Sequence, residues 1–297
     1  MLRILIPGKT GQVGWELQDA LAPLGTVIAL DASQMDLANP DSVRRAIRDA
    51  QPEIIVNAAG YTLVDKAEAE PELAMQINGL APGIMAEEAR RLGAALVHYS
   101  TDYVFDGTKN GPYTEDDKPN PLSAYGRSKL AGEQAIRGSG APHLIFRTSW
   151  VYAARGQNFV RTMLRLGRER SELRIVDDQV GAPTWARFIA QATAQVLRQL
   201  GDGHKAIRDR AGIYNLTATG AVSWYGFASA IFVEAQAQLG MTPPNLIPIT
   251  TAEYPLPARR PANSRLDNSK LTRAFGLTPP SWNKMLKACM HELRNGQ

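Results

Sequence analysis

What the chain has little of narrows its class first. Among 297 residues there is one cysteine, Cys289, and there are four histidines. A lone cysteine excludes a disulfide framework within the chain and a cysteine-built zinc site. Charge of one sign is also missing: thirty-three Lys and Arg against twenty-nine Asp and Glu leave a net charge of +4, scattered along the chain. Without a dense basic block or a basic–aromatic stripe, nucleic acid is not an expected partner, and a modest anionic ligand fits better. No apolar run approaches the roughly 20 residues that span a bilayer, so no membrane partner is expected. The apolar amino end, Met1 to Ile6, meets Pro7-Gly8 at once. That is too short for the apolar core of a signal peptide and reads as a buried strand. With 44% hydrophobic and 21% charged residues, disorder is not the default. A soluble, cytoplasmic globular protein is expected.

What is present alternates strands with helices. Leu2–Ile6, Thr26–Leu30, Glu53–Val56, Ala95–Ser100 and His143–Thr148 are short apolar runs. Between them, Val13, Leu17, Ala20, Leu21 and Leu24 recur at helical spacing, as do Val43, Ala46, Ile47 and Ala50 after an Asn39-Pro40-Asp41 start signal. Leu73, Ile77, Leu80, Ile84 and Leu92 predict one long helix before the central strand. Apolar strands alternating with amphipathic helices imply an α/β fold with a doubly wound, parallel, Rossmann-type sheet. The second half is less regular. Ser171–Asp177 and Gly212–Thr217 read as strands, the latter placed to rejoin the main sheet, and Thr184–Leu200, Ser223–Leu239 and Trp282–Leu293 read as helices. Prolines 243, 244, 248, 255, 257 and 261 predict loops wrapping a surface. The expected division is residues 1–148 plus about 183–218 as a dinucleotide-binding domain. A smaller sugar-nucleotide domain would take about 149–182 plus 219–297.

Two constellations carry chemistry. Gly8-Lys-Thr-Gly11-Gln-Val-Gly14 lies between the first strand and the first helix, and Asp31 ends the second strand twenty residues past Gly11. Glycines there permit a tight turn and close approach of backbone to a pyrophosphate at the positive end of a helix. An acid at the end of the second strand suits an adenosine ribose and so NAD(H), whereas Lys9 inside the loop suits the 2′-phosphate of NADP(H). The alternative is a glycine turn beside a strand-end cap. The second constellation is Tyr125-Gly-Arg-Ser-Lys129, four apart at a helix start. Such positions share a face. A nearby ammonium lowers a phenol from its usual value near 10 and makes it a usable acid–base group. Alone, the pair could be a surface tyrosine beside a solvated lysine. Ser100-Thr101-Asp102 follows a strand, at the sheet end where open parallel sheets bind ligands, so Thr101 can bond the carbonyl that Tyr125 protonates.

These residues in this order resemble the extended short-chain dehydrogenases/reductases. The similarity runs nearly end to end: Gly8–Leu17, Val56–Ala59, Val64–Glu68, His98–Phe105, Tyr125–Glu133, Phe146–Tyr152, Gln179–Thr184 and Ala258–Arg265. Arg147-Thr-Ser-Trp150 and Arg259-Arg-Pro261 point more narrowly to the branch acting on a dTDP-linked 4-keto sugar. The resemblance implies that NADPH or NADH delivers hydride to C4 of dTDP-4-dehydro-β-L-rhamnose, giving dTDP-β-L-rhamnose, a precursor of cell-surface polysaccharide such as the O-antigen of lipopolysaccharide. It implies Tyr125 as proton donor, Lys129 as its activator and ribose ligand, and Thr101 as carbonyl partner. Gly8, Gly11, Gln12 and Val13 would hold the pyrophosphate, and Asp31, Asp36 and Leu37 would surround the adenosine. Gly60, Tyr61, Thr62 and Tyr99 would line the cofactor path, and Val64, Asp102 and Trp150 would contact the sugar nucleotide. Trp150, Val64 and Leu37 could equally be core, Asp102 a turn cap, Arg259, Arg260 and Arg265 a solvated cluster, and Asn78 a water or backbone ligand. A homodimer is implied, in some members bridged by magnesium between glutamates. Glu16 and Glu292 match those positions, but Arg187 stands where a third carboxylate belongs, so no metal is expected and Arg187 is expected to pair with glutamates across an interface. The rival functions are a sugar-nucleotide epimerase or dehydratase of the same superfamily and a non-catalytic regulatory subunit.

Overall fold

A computed structural model describes residues 2–201 and 204–295. Met1, Asp202, Gly203, Gly296 and Gln297, which fall within the expected domain limits, lie outside the described residues. Six parallel strands form the central sheet: β1 (Leu2–Pro7), β2 (Gly25–Leu30), β3 (Ile54–Asn57), β4 (Ala95–Thr101), β5 (His143–Thr148) and β6 (Gly212–Asn215). Their order is β6-β5-β4-β3-β1-β2. The reversal between β1 and β3 opens a crevice at the carboxyl ends of the strands, where such sheets bind ligands. The late strand does rejoin the sheet, pairing in parallel with β5 from Gly212 to Asn215.

The sheet is covered on both faces because its strands are apolar on both. Ile4 and Ile6 pack into one layer with the helices Gln12–Leu21 and Ala186–Leu200. Leu5 turns the other way, toward Pro40–Ala50 and Ala81–Leu92. Period-two alternation accounts for this: successive side chains leave a strand on opposite faces. The Asn39 side chain accepts from the N–H groups of Asp41 and Ser42, so the predicted helix start is the observed one.

The single long helix predicted before β4 is instead broken. Lys66–Ala69 and Pro71–Met75 lead into a π-turn at Gln76–Leu80 and then Ala81–Leu92. The wider turn shifts the register, so Leu80 is exposed although helical spacing puts it on the buried face. A separate apolar cluster, including Val160, Phe227, Ile231, Phe232 and Met285, lies under Phe159–Glu169, Trp224–Leu239 and Trp282–Asn295. The proline-rich stretch is not all loop, since Asn245–Ile249 pairs in parallel with Glu172–Val176. Among the described residues no helix is long and apolar enough to cross a membrane.

Candidate active site

The glycine loop is shaped by close approach. Gly8 has φ +88°, and a Cβ there would meet the Ala59 backbone at 2.8 Å. A Cβ on Gly14 would sit 2.0 Å from the Gly8 carbonyl oxygen, so the helix could not start so near the strand with any other residue. Gly11 is the extended N-cap of Gln12–Leu21, and no side chain caps that end. The first N–H groups of a ten-residue helix are thus left for an anion, and these residues fit a dinucleotide pyrophosphate. Gln12 turns its side-chain oxygen to Asn158 Nδ2 at 3.0 Å. At the end of β2, Lys9 Nζ lies 3.0 Å from Asp31 Oδ2. Ser33 donates to Asp31 from both its backbone N–H (3.0 Å) and its hydroxyl (2.5 Å). Ser33 first and Lys9 second hold the Asp31 carboxyl down at about 2. Lys9 and Asp31 are therefore partners. Asp36 is exposed and accepts from Ala38 N, whereas Leu37 is core, packed with Met35, Val43 and Ile47.

The second group of residues collects beside the end of β4. Ser123 caps the helix Ala124–Gly138, which carries Tyr125 and Lys129 on its first turns. Thr101 is buried; its hydroxyl donates to Asp102 Oδ1 at 2.9 Å and accepts from Tyr103 N at 3.1 Å. Burial pushes the Tyr125 phenol up to about 12, while Thr101 beside it pulls the other way. This corrects the expectation that Lys129 lowers the phenol. Lys129 Nζ is turned instead to the Tyr99 carbonyl oxygen at 2.6 Å and to His98 Nε2 at 3.2 Å. Burial in turn brings Lys129 down to about 8, against a rise from Glu133. Tyr99 reaches this pocket only through its backbone oxygen; its hydroxyl bonds Thr193 at 2.8 Å on the opposite face of the sheet.

Asn78, inside the π-turn, accepts from Tyr61 N at 2.8 Å and donates to Tyr61 O at 2.9 Å and Ser128 Oγ at 3.0 Å. It staples the Gly60–Thr62 loop to the Tyr125 helix. A Cβ on Gly60 would lie 3.0 Å from Asn78 Oδ1. The Tyr61 hydroxyl donates to Glu70 at 2.6 Å, and its ring packs with Ala124 and Tyr125. Thr62 is exposed and Val64 half-buried. Asp102 is 3% exposed, its Oδ2 has no hydrogen-bond partner among the described residues, and burial raises it to about 6. A buried carboxyl oxygen left unbonded is suited to a polar group brought by a ligand.

Trp150 stands at φ +48° just past β5, a left-handed conformation costing a non-glycine residue on the order of 1–3 kcal/mol. It is held there from two sides. Its ring stacks on Trp224 with centroids 3.5 Å apart, and a Cβ on Gly181 would come within 2.5 Å of it.

The family comparison decides what this assembly is. A family model described as RmlD substrate binding domain matches residues 2–295. A dTDP-4-dehydrorhamnose reductase of Burkholderia thailandensis is 48% identical over 98% of this chain and 99% of that protein. The chain belongs to the dTDP-4-dehydrorhamnose reductase family. Two solved structures of the family superpose closely. The reductase from Clostridium acetobutylicum has a TM-score of 0.90 at 38% identity, covering 98% of this chain and 99% of that one. The reductase from Bacillus anthracis, in complex with NADP, has a TM-score of 0.89 at 36% identity with the same coverage.

The magnesium that the family resemblance brings with it does not fit the residues here. Arg187 Nε lies 2.8 Å from Glu16 Oε2 and its Nη2 2.7 Å from Glu292 Oε1, so a guanidinium already fills the space between the carboxylates. A divalent cation there would face a fixed positive charge. The pairing expected across an interface is made within one chain. Among the described residues no cluster of three or more His, Cys, Asp or Glu is arranged to hold a metal.

Three partnerships in this family member lacked a local signal in the sequence. Arg260 pairs with Asp65 (2.7 and 3.0 Å), 195 positions away. Trp224 backs Trp150, and Asn57 with His98 backs Lys129. Arg265 bonds Asn263 and the Asn110 carbonyl, and Arg259 is exposed.

Proposed function

We propose that the chain reduces the C4 carbonyl of dTDP-4-dehydro-β-L-rhamnose to dTDP-β-L-rhamnose, in the cytoplasm and as a homodimer. The observation that carries this reading is the placement of the buried Tyr125 phenol next to Thr101, at the sheet end that also bears the glycine loop. Support comes from full-length similarity to dTDP-4-dehydrorhamnose reductases.

When bound, a reduced nicotinamide dinucleotide supplies the hydride. Gly8, Gly11, Gln12 and Val13 would hold its pyrophosphate, with Asp31, Asp36 and Leu37 about the adenosine and Gly60, Tyr61, Thr62 and Tyr99 along its path. Tyr99 would act through its backbone. The Lys9–Asp31 pair supports use of either NADPH or NADH. Lys9 offers a cation to a 2′-phosphate, and Asp31 an acceptor to a free 2′-hydroxyl.

Tyr125 gives its hydroxyl proton to the carbonyl oxygen as negative charge develops there, and the Thr101 hydroxyl stabilises the same oxygen. A phenol held near 12 is fully protonated before the reaction, as a proton donor must be. Lys129 would bind the ribose. Val64, Asp102 and Trp150 would position the sugar nucleotide, with the unbonded Oδ2 of Asp102 available to a sugar hydroxyl. The cofactor domain would be residues 1–148 plus about 183–218, and the substrate domain about 149–182 plus 219–297. The separate apolar cluster around Phe227 supports that division.

The test is oxidation of NADPH, and separately NADH, in the presence of dTDP-4-dehydro-L-rhamnose. Mole-for-mole oxidation with appearance of dTDP-rhamnose is expected. Binding of the cofactor without net oxidation would overturn the reductase reading in favour of an epimerase or a regulatory subunit.

A further inference from the structure

Trp150 is placed by its neighbours rather than by its own preferences. Two free aromatic rings settle offset or edge-to-face. The Trp150 and Trp224 indoles instead lie 5° from parallel with centroids 3.5 Å apart, which leaves almost no offset. The backbone beneath is left-handed at φ +48°. Such outliers persist only where the surroundings over-determine them, and they gather at ligand clamps.

The second face of the ring is also taken. A Cβ on Gly181 would lie 2.5 Å from Cε2, 2.8 Å from Nε1 and 2.9 Å from Cζ2 of Trp150. A point in the ring plane beyond Cε2 would be nearer to Nε1 and Cζ2 than to Cε2, so this position stands over the ring face. It is not the face that Trp224 covers, because the second indole fills that space. The Trp150 ring is therefore slotted between Trp224 and the backbone of Gly181, and a side chain at residue 181 would close the slot.

The two jaws are fastened to each other. Gly181 pairs antiparallel with Val222, and Val180 with Ser223, immediately before Trp224. Ser223 caps the helix Trp224–Leu239 by accepting from Gly226 N at 3.0 Å, and Phe159 backs Trp224 with centroids 4.6 Å apart. The Trp150 carbonyl oxygen accepts from Thr184 N at 3.2 Å. Trp150 follows Thr148 by two residues, and Thr148 is the register partner of Thr101 on β4. The half-buried ring thus stands close to Thr101 with both faces occupied and its edge left open. An aromatic edge is the positive part of the ring and here carries the Nε1–H donor, so it suits oxygen acceptors such as sugar hydroxyls.

We propose that Trp224 and Gly181 are positioning residues that hold Trp150 edge-on to the sugar of the bound substrate. Trp150 then selects through its ring edge and does not stack on sugar or base. The link to substrate rests on the proposed contact between Trp150 and the sugar nucleotide, whereas the slot stands on geometry alone.

The slot is tested without substrate by circular dichroism of the full chain. Face-to-face indoles couple their transitions and give a paired positive and negative band. That band should be present in the unaltered protein and lost alike in Trp150→Phe and Trp224→Phe. Its absence from the unaltered protein, or its survival in either variant, would overturn the slot.

The positioning role is tested by calorimetric titration with dTDP-L-rhamnose. Trp224→Leu and Gly181→Ala should each weaken binding about tenfold, the scale of one aromatic contact. Trp224→Phe still covers the ring face and should keep most of the affinity. In turnover, Trp224→Leu should raise KM for the sugar nucleotide while KM for NADPH and the melting temperature stay in place. Unchanged affinity in Trp224→Leu, or an equal loss in Trp224→Phe, would overturn the role given to Trp224. An unaltered protein that shows the paired band but binds no dTDP-L-rhamnose would count against the reductase reading, and against the link to substrate with it, while the slot would stand.

Discussion

Two buried cations, Arg147 on β5 and Lys129 on the helix Ala124–Gly138, lie near the same Glu133 turn, and the protein treats them in opposite ways. Arg147 is 2% exposed and bound in bidentate fashion by Glu133, with N···O distances of 2.9 and 2.6 Å. Ser100 completes that carboxylate at 2.5 Å, and the guanidinium lies over the Phe105 ring. Lys129 is as deeply placed but makes no ion pair among the described residues; a carbonyl and an imidazole are its partners. A charge that is paired and bonded stays a charge. One that is buried without a counter-ion drifts toward its neutral form, which is why Lys129 comes down to about 8. Arg147 is fastened as structure, whereas Lys129 is left able to exchange a proton beside Tyr125.

That contrast can be broken at either end. The largest effect is expected from Tyr125→Phe, which should lower kcat by about 10²–10⁴-fold, the range for a lost general acid. Cofactor affinity and melting temperature should barely move. Activity near wild type would remove Tyr125 as the proton donor.

On the structural side, Glu133→Leu leaves Arg147 charged and alone, and removing one partner of a buried pair costs about 3–5 kcal/mol. Denaturant unfolding should show it. The double variant Glu133→Leu/Arg147→Met should recover most of the loss, and a double variant no better than the single would contradict a purely structural pair.

The smallest effect concerns Arg187, whose side chain is 38% exposed and hence screened. Arg187→Ala should cost about 1 kcal/mol. It should also give a protein that divalent cations stabilise, because Glu16 and Glu292 are then left facing each other. Melting of the unaltered protein should be indifferent to chelator and to magnesium.

The parts legible in the sequence are those governed by local spacing. The apolar runs of β1 to β5, the glycine loop and the Asn39 start signal follow from residues a few positions apart. The placement of Tyr125 and Lys129 on one helix start, and of Thr101 at a strand end, follows from local spacing in the same way. Fitting Leu80 to an unbroken helix failed because the π-turn that lets Asn78 reach Tyr61 and Ser128 leaves no periodic trace. The pairing of Asn245–Ile249 with Glu172–Val176 was masked by its prolines. Asp65–Arg260, Trp150–Trp224 and Asn57–His98–Lys129 join residues from distant segments, so only the folded chain displays them. The direction of the Tyr125 shift was missed for the same reason. Proximity in sequence puts Lys129 one turn away, but the Tyr99 carbonyl and His98 turn its amine aside.

The state of Lys129 is where the account is most directly tested, by the unfolding free energy of the unaltered protein and of Lys129→Met measured from pH 7 to 10. Below about 8 the lysine is charged both folded and unfolded, and the penalty of burying that charge is present in full. Between about 8 and its ordinary value near 10.4, the unfolded chain holds the proton and the folded one does not, so stability rises with pH. The unaltered protein should therefore gain on Lys129→Met steadily across that window. A difference that stays flat from pH 7 to 10 would mean that Lys129 is held as a charge like Arg147, and would contradict the distinction drawn between them.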